Sequence, residues 1–147
     1  MLDLLLACTH HLLIFAVFGM LLAEFVLLRP GLDVAALGRI ARLDLHYGVF
    51  ATLVVVVGFL RAIFAAKGWG YYAHNAFFWA KLATFALIGL LSIAPTLALL
   101  RWRRSGQPPD AAAVAAVRRY LHYELGLFLL LPLFAAAMAR GYGSFAR

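Results

Sequence analysis

Two histidine–arginine pairs lie where apolar stretches of the sequence begin. Arg42 and His46 precede one apolar stretch, and Arg118 and His122 precede another. In each pair the arginine lies four residues before the histidine, so both side chains lie on one face of a helix. Imidazoles from two helices can ligate haem iron, and neighbouring arginines can neutralise its propionates. This spacing allows a haem b site that uses His46, His122 and Arg118.

The same residues allow a second interpretation. Asp44 and Glu124 each lie two residues from a histidine of these pairs, which is about 200° around a helix. A carboxylate and its neighbouring histidine therefore cannot both face the interior of a bundle. If the carboxylates face inward and pair with nearby arginines, the histidines face the lipid headgroups. Both arrangements remain open at this point.

A second set of ionisable residues lies toward the other end of the apolar stretches. His10 and His11 occur in the first stretch, Arg61 closes the second, and Lys81 lies early in the third. Long basic side chains near a bilayer edge can extend to the headgroups. Alternatively, these residues form a basic pocket for an anionic or carboxylated ligand, such as a porphyrin, a quinone or a lipid headgroup.

Glu24 indicates which of the two adjacent histidines faces inward. A carboxylate deep in an apolar helix is expected to face protein rather than lipid. Glu24 lies about 40° from His10 around the helix and about 140° from His11. We therefore expect His10 to share the inward face. A neutral imidazole there can ligate a metal or carry a proton, and both His10 and His11 are candidate metal ligands.

Composition places these residues in a membrane protein. The chain has 147 residues, of which 66% are hydrophobic and 13% charged, and its mean hydropathy is +0.95. A soluble domain is only about half apolar. The net charge of +7 is explained by arginines in cytoplasmic loops, so we expect no nucleic-acid partner. The one cysteine, Cys8, excludes an internal disulfide.

The apolar stretches predict an all-α fold, a polytopic membrane bundle of four transmembrane helices in a single domain, residues 1–147. Each stretch approaches or exceeds the roughly 20 residues that cross a bilayer. Proline and glycine end the first helix at Arg29–Gly31, and glycines interrupt the chain at Gly68–Tyr72. The predicted helices are about 2–28, 34–66, 75–102 and 110–139.

The distribution of basic residues predicts the orientation. The first and third connections hold eight arginines, whereas the second connection and the tail hold Lys67, Arg140 and Arg147. The positive-inside rule places the first and third connections in the cytoplasm. We therefore expect a protein of the bacterial inner membrane, surrounded by lipid, with both termini outside.

Four segments resemble a family of small bacterial integral-membrane proteins of unknown function. They are AEFVLLRPGLD at residues 23–33, KGWGYYAHNAFFWAKL at 67–82, LLSIAPTLALLRWRR at 90–104 and MARGYG at 138–143. The resemblance covers essentially the whole chain. It implies four membrane helices and no assigned activity.

A more distant resemblance concerns chemistry. A histidine in the first helix, Arg29 closing that helix, and Trp79-Ala-Lys81-Leu82 in the third resemble HemJ-type protoporphyrinogen oxidases. These are small helical membrane proteins of haem biosynthesis. The resemblance implies that His10 or His11 ligates haem and that Lys81 meets the substrate or a propionate, as a catalytic residue.

Three classes of function follow from these patterns, and the third, a transporter or channel, would need oligomerisation because four helices alone form no more than a small pore. The first is a haem b- or porphyrin-binding membrane protein, with a redox enzyme linked to quinone as its narrower form. The second is a non-catalytic protein that binds lipid or another small ligand, or an accessory subunit of a homo-oligomer or larger membrane complex. Small residues such as Gly48, Gly58 and Gly89 would suit helix packing in such a complex. The sequence does not decide whether the protein is an enzyme.

Overall fold

The computed structural model describes residues 1–64 and 68–145. Its helices are α1 (Leu2–Leu27), α2 (Val34–Phe64), α3 (Gly68–Ala73), α4 (Ala76–Ser105), α5 (Ala111–Phe128) and α6 (Leu130–Ala139). Within these ranges there are no strands, only one isolated bridge between Asn75 and Ser144. The predicted all-α class is therefore confirmed.

Four helical segments are long and apolar enough to cross a membrane in the part of the chain that the structure describes. They are α1, α2, α4 and the combined α5–α6 segment of 29 residues. The last two helices form one span with a break at Leu129, close to Pro132, whose missing N–H weakens the helical hydrogen bonding there. This confirms the predicted four-helix membrane bundle.

The helix ends follow the polar and glycine residues between the spans. Asp33 Oδ1 accepts a hydrogen bond from Ala36 N at 2.6 Å, and Asp110 Oδ1 accepts one from Ala113 N at 2.6 Å. Both are N-cap interactions that satisfy otherwise free amides. Gly106, with φ of +65°, ends α4 in the left-handed conformation.

Two differences from the predicted bounds are informative. The α4 helix continues to Ser105, beyond the predicted end at residue 102. The second connection contains the short helix α3 rather than an irregular turn, because Trp69 and Tyr72 pack their rings against Phe78. The predicted end of the second helix at residue 66, with Lys67 and Arg147, lies outside the described residues.

The four spans close into a ring around an apolar core. The α1 helix packs against α2 and α5, and α4 packs against α2, α5 and α6. Buried aliphatic and aromatic side chains fill the middle of the ring, namely Val17, Leu21, Val54, Ile88, Phe128 and Leu131. Large apolar side chains also cover the outside, as expected for a surface in contact with lipid.

The bundle has two distinct ends. We call the end with Met1, α3 and Tyr142 the terminal end, and the end with Gly31 and Gly106 the loop end. Ionisable side chains are buried in both halves of the bundle, and the apolar core separates them.

Candidate anion site

His10 is buried between α1 and α2 in the terminal half of the bundle. Its side chain is only 7% exposed, and its Nδ1 atom has no hydrogen-bond partner among the described residues. The ring packs on Gly58, where a built Cβ atom would lie 3.0 Å from His10 Cε1. The absence of a side chain at residue 58 thus creates the space that this imidazole fills. The burial agrees with the inward orientation expected from the helical wheel.

Two cationic side chains lie near His10 on other helices. Arg61, on the last turn of α2, has a buried Nε atom without a hydrogen-bond partner. Lys81, on α4, is half-buried, with Nζ 5.9 Å from the centre of the Phe78 ring. Lys81 and Arg61 both act electrostatically on His10, and Arg61 acts on Lys81. We call His10, Arg61 and Lys81 the basic cluster.

A hydrogen-bonded cap fixes the start of α4 and therefore the position of Lys81. Asn75 is fully buried, and its Oδ1 accepts hydrogen bonds from Phe77 N at 2.9 Å and Phe78 N at 3.3 Å. Its Nδ2 donates to Tyr142 O at 2.9 Å. The tail after α6 is held further by Phe145 N, which donates to His74 O at 2.9 Å. This cap joins the tail to α4.

Aromatic rings surround the side of the cluster toward α3. The Trp69 ring lies 6.4 Å from Phe59 and 5.9 Å from Phe78, and Phe78 lies 5.5 Å from Trp79. Tryptophan is typical of membrane–water interfaces. The basic cluster therefore lies below an aromatic layer, within the span, rather than in the surrounding water.

The electrostatics of the cluster favour an anion. The side chains that act electrostatically on His10 are Lys81, Arg61 and His11, all of them basic, and the backbone of Val54 is its one hydrogen-bonding neighbour in the described part of the chain. Cationic groups close together in a low-dielectric region repel each other, and unpaired buried polar atoms are costly. A negatively charged group would relieve both penalties. Among the described residues, His10 Nδ1 and Arg61 Nε are the buried nitrogens of this cluster that lack a hydrogen-bond partner.

The other predicted histidine ligands do not join this cluster or face each other. His11 is exposed, with Nδ1 2.6 Å from Ala7 O on its own helix. His46 is exposed, with Nδ1 2.6 Å from Arg42 O. His122 is exposed, and its ring centre lies 6.1 Å from that of Phe25. The structure therefore places three of the four on the outer surface of the bundle.

The carboxylates at the loop end occupy the interior instead. Asp44 and Glu124 are both buried, which agrees with the alternative in which the histidines face outward. Their partners are hydroxyl groups rather than the expected arginines. Thr96 Oγ1 donates to Asp44 Oδ1 at 2.9 Å, and Tyr47 Oη donates to Glu124 Oε2 at 3.2 Å.

Sequence reasoning missed Tyr47 and Thr96 as members of this network. A signal for Tyr47 is present, since it lies three residues after Asp44 and shares its helix face. Thr96 carries no such signal, because only the packing of α2 against α4 brings it to Asp44.

Arg118 stabilises the end of α1. Its Nη1 donates to Phe25 O at 2.6 Å and also to Leu28 O, and its guanidinium lies 4.3 Å from the centre of the Phe25 ring. These carbonyls have no partners within the helix, so Arg118 satisfies a helix C-terminus. An open groove of about 380 Å³ lies beside it, lined by Phe25, Pro30, Ala115, Arg118, Arg119 and His122.

The predicted metal site has little support in this arrangement. The rings of His10 and His11 are 6.3 Å apart and nearly perpendicular. Among the described residues, no group of three or more histidine, cysteine or acidic side chains could hold a metal ion. Of the predicted ligands, only His10 therefore lies buried with a free ring nitrogen.

Fold and burial pattern together define a polytopic integral-membrane protein with polar side chains inside its bundle. The family model described as "Predicted membrane protein (DUF2214)" matches residues 2–143. The chain therefore belongs to this family, as the resemblance of its four segments predicted. The more distant resemblance to HemJ-type oxidases is not shown by this match. No curated protein and no solved structure matches the chain.

Proposed function

We propose that this protein binds an anionic amphipathic molecule of the bilayer at the basic cluster. One observation carries the proposal: basic side chains from α1, α2 and α4 act electrostatically on one another in the terminal half of the bundle, and buried nitrogens of two of them have no hydrogen-bond partner among the described residues. A carboxylate or phosphate head would accept hydrogen bonds from these nitrogens. Its apolar body would lie along the aromatic layer.

Each member of the cluster has a separate part in this binding. The Arg61 guanidinium can donate two parallel hydrogen bonds to a carboxylate or a phosphate. Lys81 supplies a compact positive charge from the opposite helix, α4. His10 supplies a ring nitrogen from α1 and is held by its contact with Gly58. The three helices thus surround the bound head on three sides.

The competing explanation is that the basic side chains extend to lipid headgroups and bind no specific ligand. It fits Lys81 alone, because this side chain is half-buried and flexible. It does not fit His10, which is buried and too short to reach a headgroup from its contact with Gly58. It also leaves the buried Arg61 Nε without a partner.

Binding is tested with protoporphyrin IX, which carries two carboxylates, and with its dimethyl ester, which carries none. We expect the purified protein in detergent to bind the acid and to bind the ester much more weakly. Loss of one charge-assisted hydrogen bond costs about 1.5–3 kcal/mol, so Lys81→Met should weaken binding roughly 10- to 150-fold. Arg61→Gln should have a similar effect.

Arg39→Gln is the matched control, since Arg39 is exposed at the loop end. Its affinity should equal that of the unchanged protein. Equal affinity for acid and ester, or an unchanged affinity in both cluster variants, would contradict the proposal.

Haem b is a narrower form of the same proposal. The unpartnered Nδ1 of His10 could ligate iron, while Arg61 and Lys81 could neutralise propionates. Because His11, His46 and His122 are exposed, His10 is the ligand in this proposal. Haem, when bound, would supply redox chemistry, for example with quinone.

An absorption spectrum of protein expressed with haem precursor tests haem binding. We expect a Soret band that is lost in His10→Ala, and a colourless protein would contradict the proposal.

A further inference from the structure

The loop half of the bundle contains three buried carboxyl groups from three helices. Glu24 on α1 is 1% exposed, Asp44 on α2 is 4% exposed and Glu124 on α5 is 0% exposed. Asp44 and Glu124 both act electrostatically on Glu24, and Asp44 acts on Glu124. We call these three residues the carboxyl cluster. It is independent of the basic cluster, from which the apolar core separates it.

The groups that face the carboxyl cluster do not neutralise it. On α2 and α4, the facing donors are the hydroxyls of Tyr47 and Thr96, and each gives one hydrogen bond. On α5, Arg119 is exposed, and Nη1 of Arg118 donates to the carbonyls of Phe25 and Leu28 rather than to the carboxyl groups.

Two carboxyl oxygens in the cluster lack a hydrogen-bond partner within the described residues. They are Oε1 of Glu24 and Oε1 of Glu124, and both are buried. Three negative charges in a membrane interior without a counter-cation would be very costly. A positively charged ligand on these carboxyl groups would lower that cost.

A proton fits this site better than a metal ion. The described part of the chain has no group of three or more acidic, histidine or cysteine side chains with metal-binding geometry. A proton needs no such shell, since one carboxyl oxygen suffices to hold it. Closely spaced carboxyl groups commonly share protons because they cannot all ionise together.

A cleft gives the site a route for exchange. It lies between α2 and α4, has a volume of about 310 Å³, and includes Tyr47, Gly48, Thr52, Phe85, Gly89 and Ser92 in its lining. Tyr47 contributes to this cleft while its hydroxyl donates to Glu124. Tyr47 is thus common to the cleft lining and to the hydrogen bonding of the carboxyl cluster.

We propose that Glu24, Asp44 and Glu124 form a proton-binding site in the membrane interior, loaded through Tyr47 from the cleft between α2 and α4. In the loading step, a hydronium ion in the cleft gives a proton to the Tyr47 oxygen. The tyrosine passes its own hydroxyl proton to the Glu124 carboxylate. The products are water, a tyrosine with a new hydroxyl proton and a carboxylic acid: two O–H bonds break and two form, and the net change is one proton added to Glu124.

Infrared spectroscopy of the full chain in lipid nanodiscs tests this assignment. At neutral pH we expect the C=O stretch of a protonated carboxylic acid, which shifts when H₂O is replaced by D₂O and disappears at alkaline pH. Glu24→Gln, Asp44→Asn and Glu124→Gln should each remove part of the band. Asp3→Asn, at an exposed position, is the matched control and should leave it unchanged.

Tyr47→Phe tests the route separately. The band should persist, but its shift in D₂O should slow by about a hundredfold, the lower range for a positioned proton-transfer group. An unchanged exchange rate would overturn the route through Tyr47.

Three results would overturn the site itself. They are the absence of a protonated band at neutral pH, a band that all three carboxyl variants leave intact, and a band that sodium chloride removes. The last would identify Na⁺ as the ligand. The absence of a protonated band can be detected with the wild-type protein alone. The proposal therefore stays testable even if a carboxyl variant fails to fold.

Discussion

Substitution of Gly58 by alanine is expected to displace the His10 imidazole and destabilise the bundle. The new Cβ atom would lie 3.0 Å from His10 Cε1 and 3.6 Å from Nδ1. Favourable contacts between carbon atoms lie at about 3.5–4.0 Å. The ring must therefore retreat by about 0.5 Å, although it is buried against α2.

Two opposing contributions set the size of the change in the free energy of unfolding. Overpacking of a buried site costs about 1–3 kcal/mol. Alanine gains roughly 0.5–1 kcal/mol over glycine in a helix. The net expected loss in the free energy of unfolding is thus about 1 kcal/mol. The displaced imidazole should also weaken protoporphyrin IX binding.

Unfolding in mixed detergent, followed by circular dichroism, measures this loss. Gly48→Ala is the matched control on the same helix, because nothing lies within 4 Å of its built Cβ. It should be neutral or slightly stabilising. In a His10→Ala background the Gly58→Ala penalty should vanish. The reasoning is refuted if Gly58→Ala is as stable as Gly48→Ala, or if the penalty persists without the imidazole.

Three further predictions concern the ends of the bundle. Arg118→Ala should lower the free energy of unfolding by about 2 kcal/mol, because two hydrogen bonds to carbonyl groups are lost. The control Arg119→Ala, at an exposed residue, should change it by less than about 0.5 kcal/mol. Equal effects of the two substitutions in the same detergent assay would contradict this. Asn75→Ala should cost about 1–2 kcal/mol and hasten proteolysis of the tail that it holds, so an unaltered cleavage rate would contradict the cap. Orientation can be tested on intact cells with a membrane-impermeant maleimide, in a protein from which the native cysteine has been removed. The reagent should label Asp3→Cys, near the terminus expected outside, but not Ser105→Cys, near the connection expected in the cytoplasm. The reverse labelling pattern would contradict that orientation.

Much of the fold could be predicted because it depends on the length and polarity of single segments. Apolar stretches of this length have few alternatives to spanning helices. The caps by Asp33 and Asp110 are also local, since each side chain binds an amide three residues away. The break at Leu129 and the helix at Gly68–Ala73 were missed, because both depend on local geometry and on packing between helices.

The candidate site was predictable only in part, because some of its contacts join different helices. The inward orientation of His10 could be derived from Glu24, since both lie on one helix. The contact of His10 with Gly58 joins two helices, and so does the bond between Tyr47 and Glu124. The angle between two residues on a helical wheel shows which side of their helix faces inward. It does not show which residue of another helix lies opposite.

Native mass spectrometry of the protein released directly from membranes tests the central claim most directly. The account predicts that the unchanged protein retains a bound carboxylated or phosphorylated amphiphile, which Arg61→Gln and Lys81→Met lose while Arg39→Gln keeps it. Protein that emerges without any bound anion, or with the same occupancy in all of these variants, would contradict an anion site at the basic cluster.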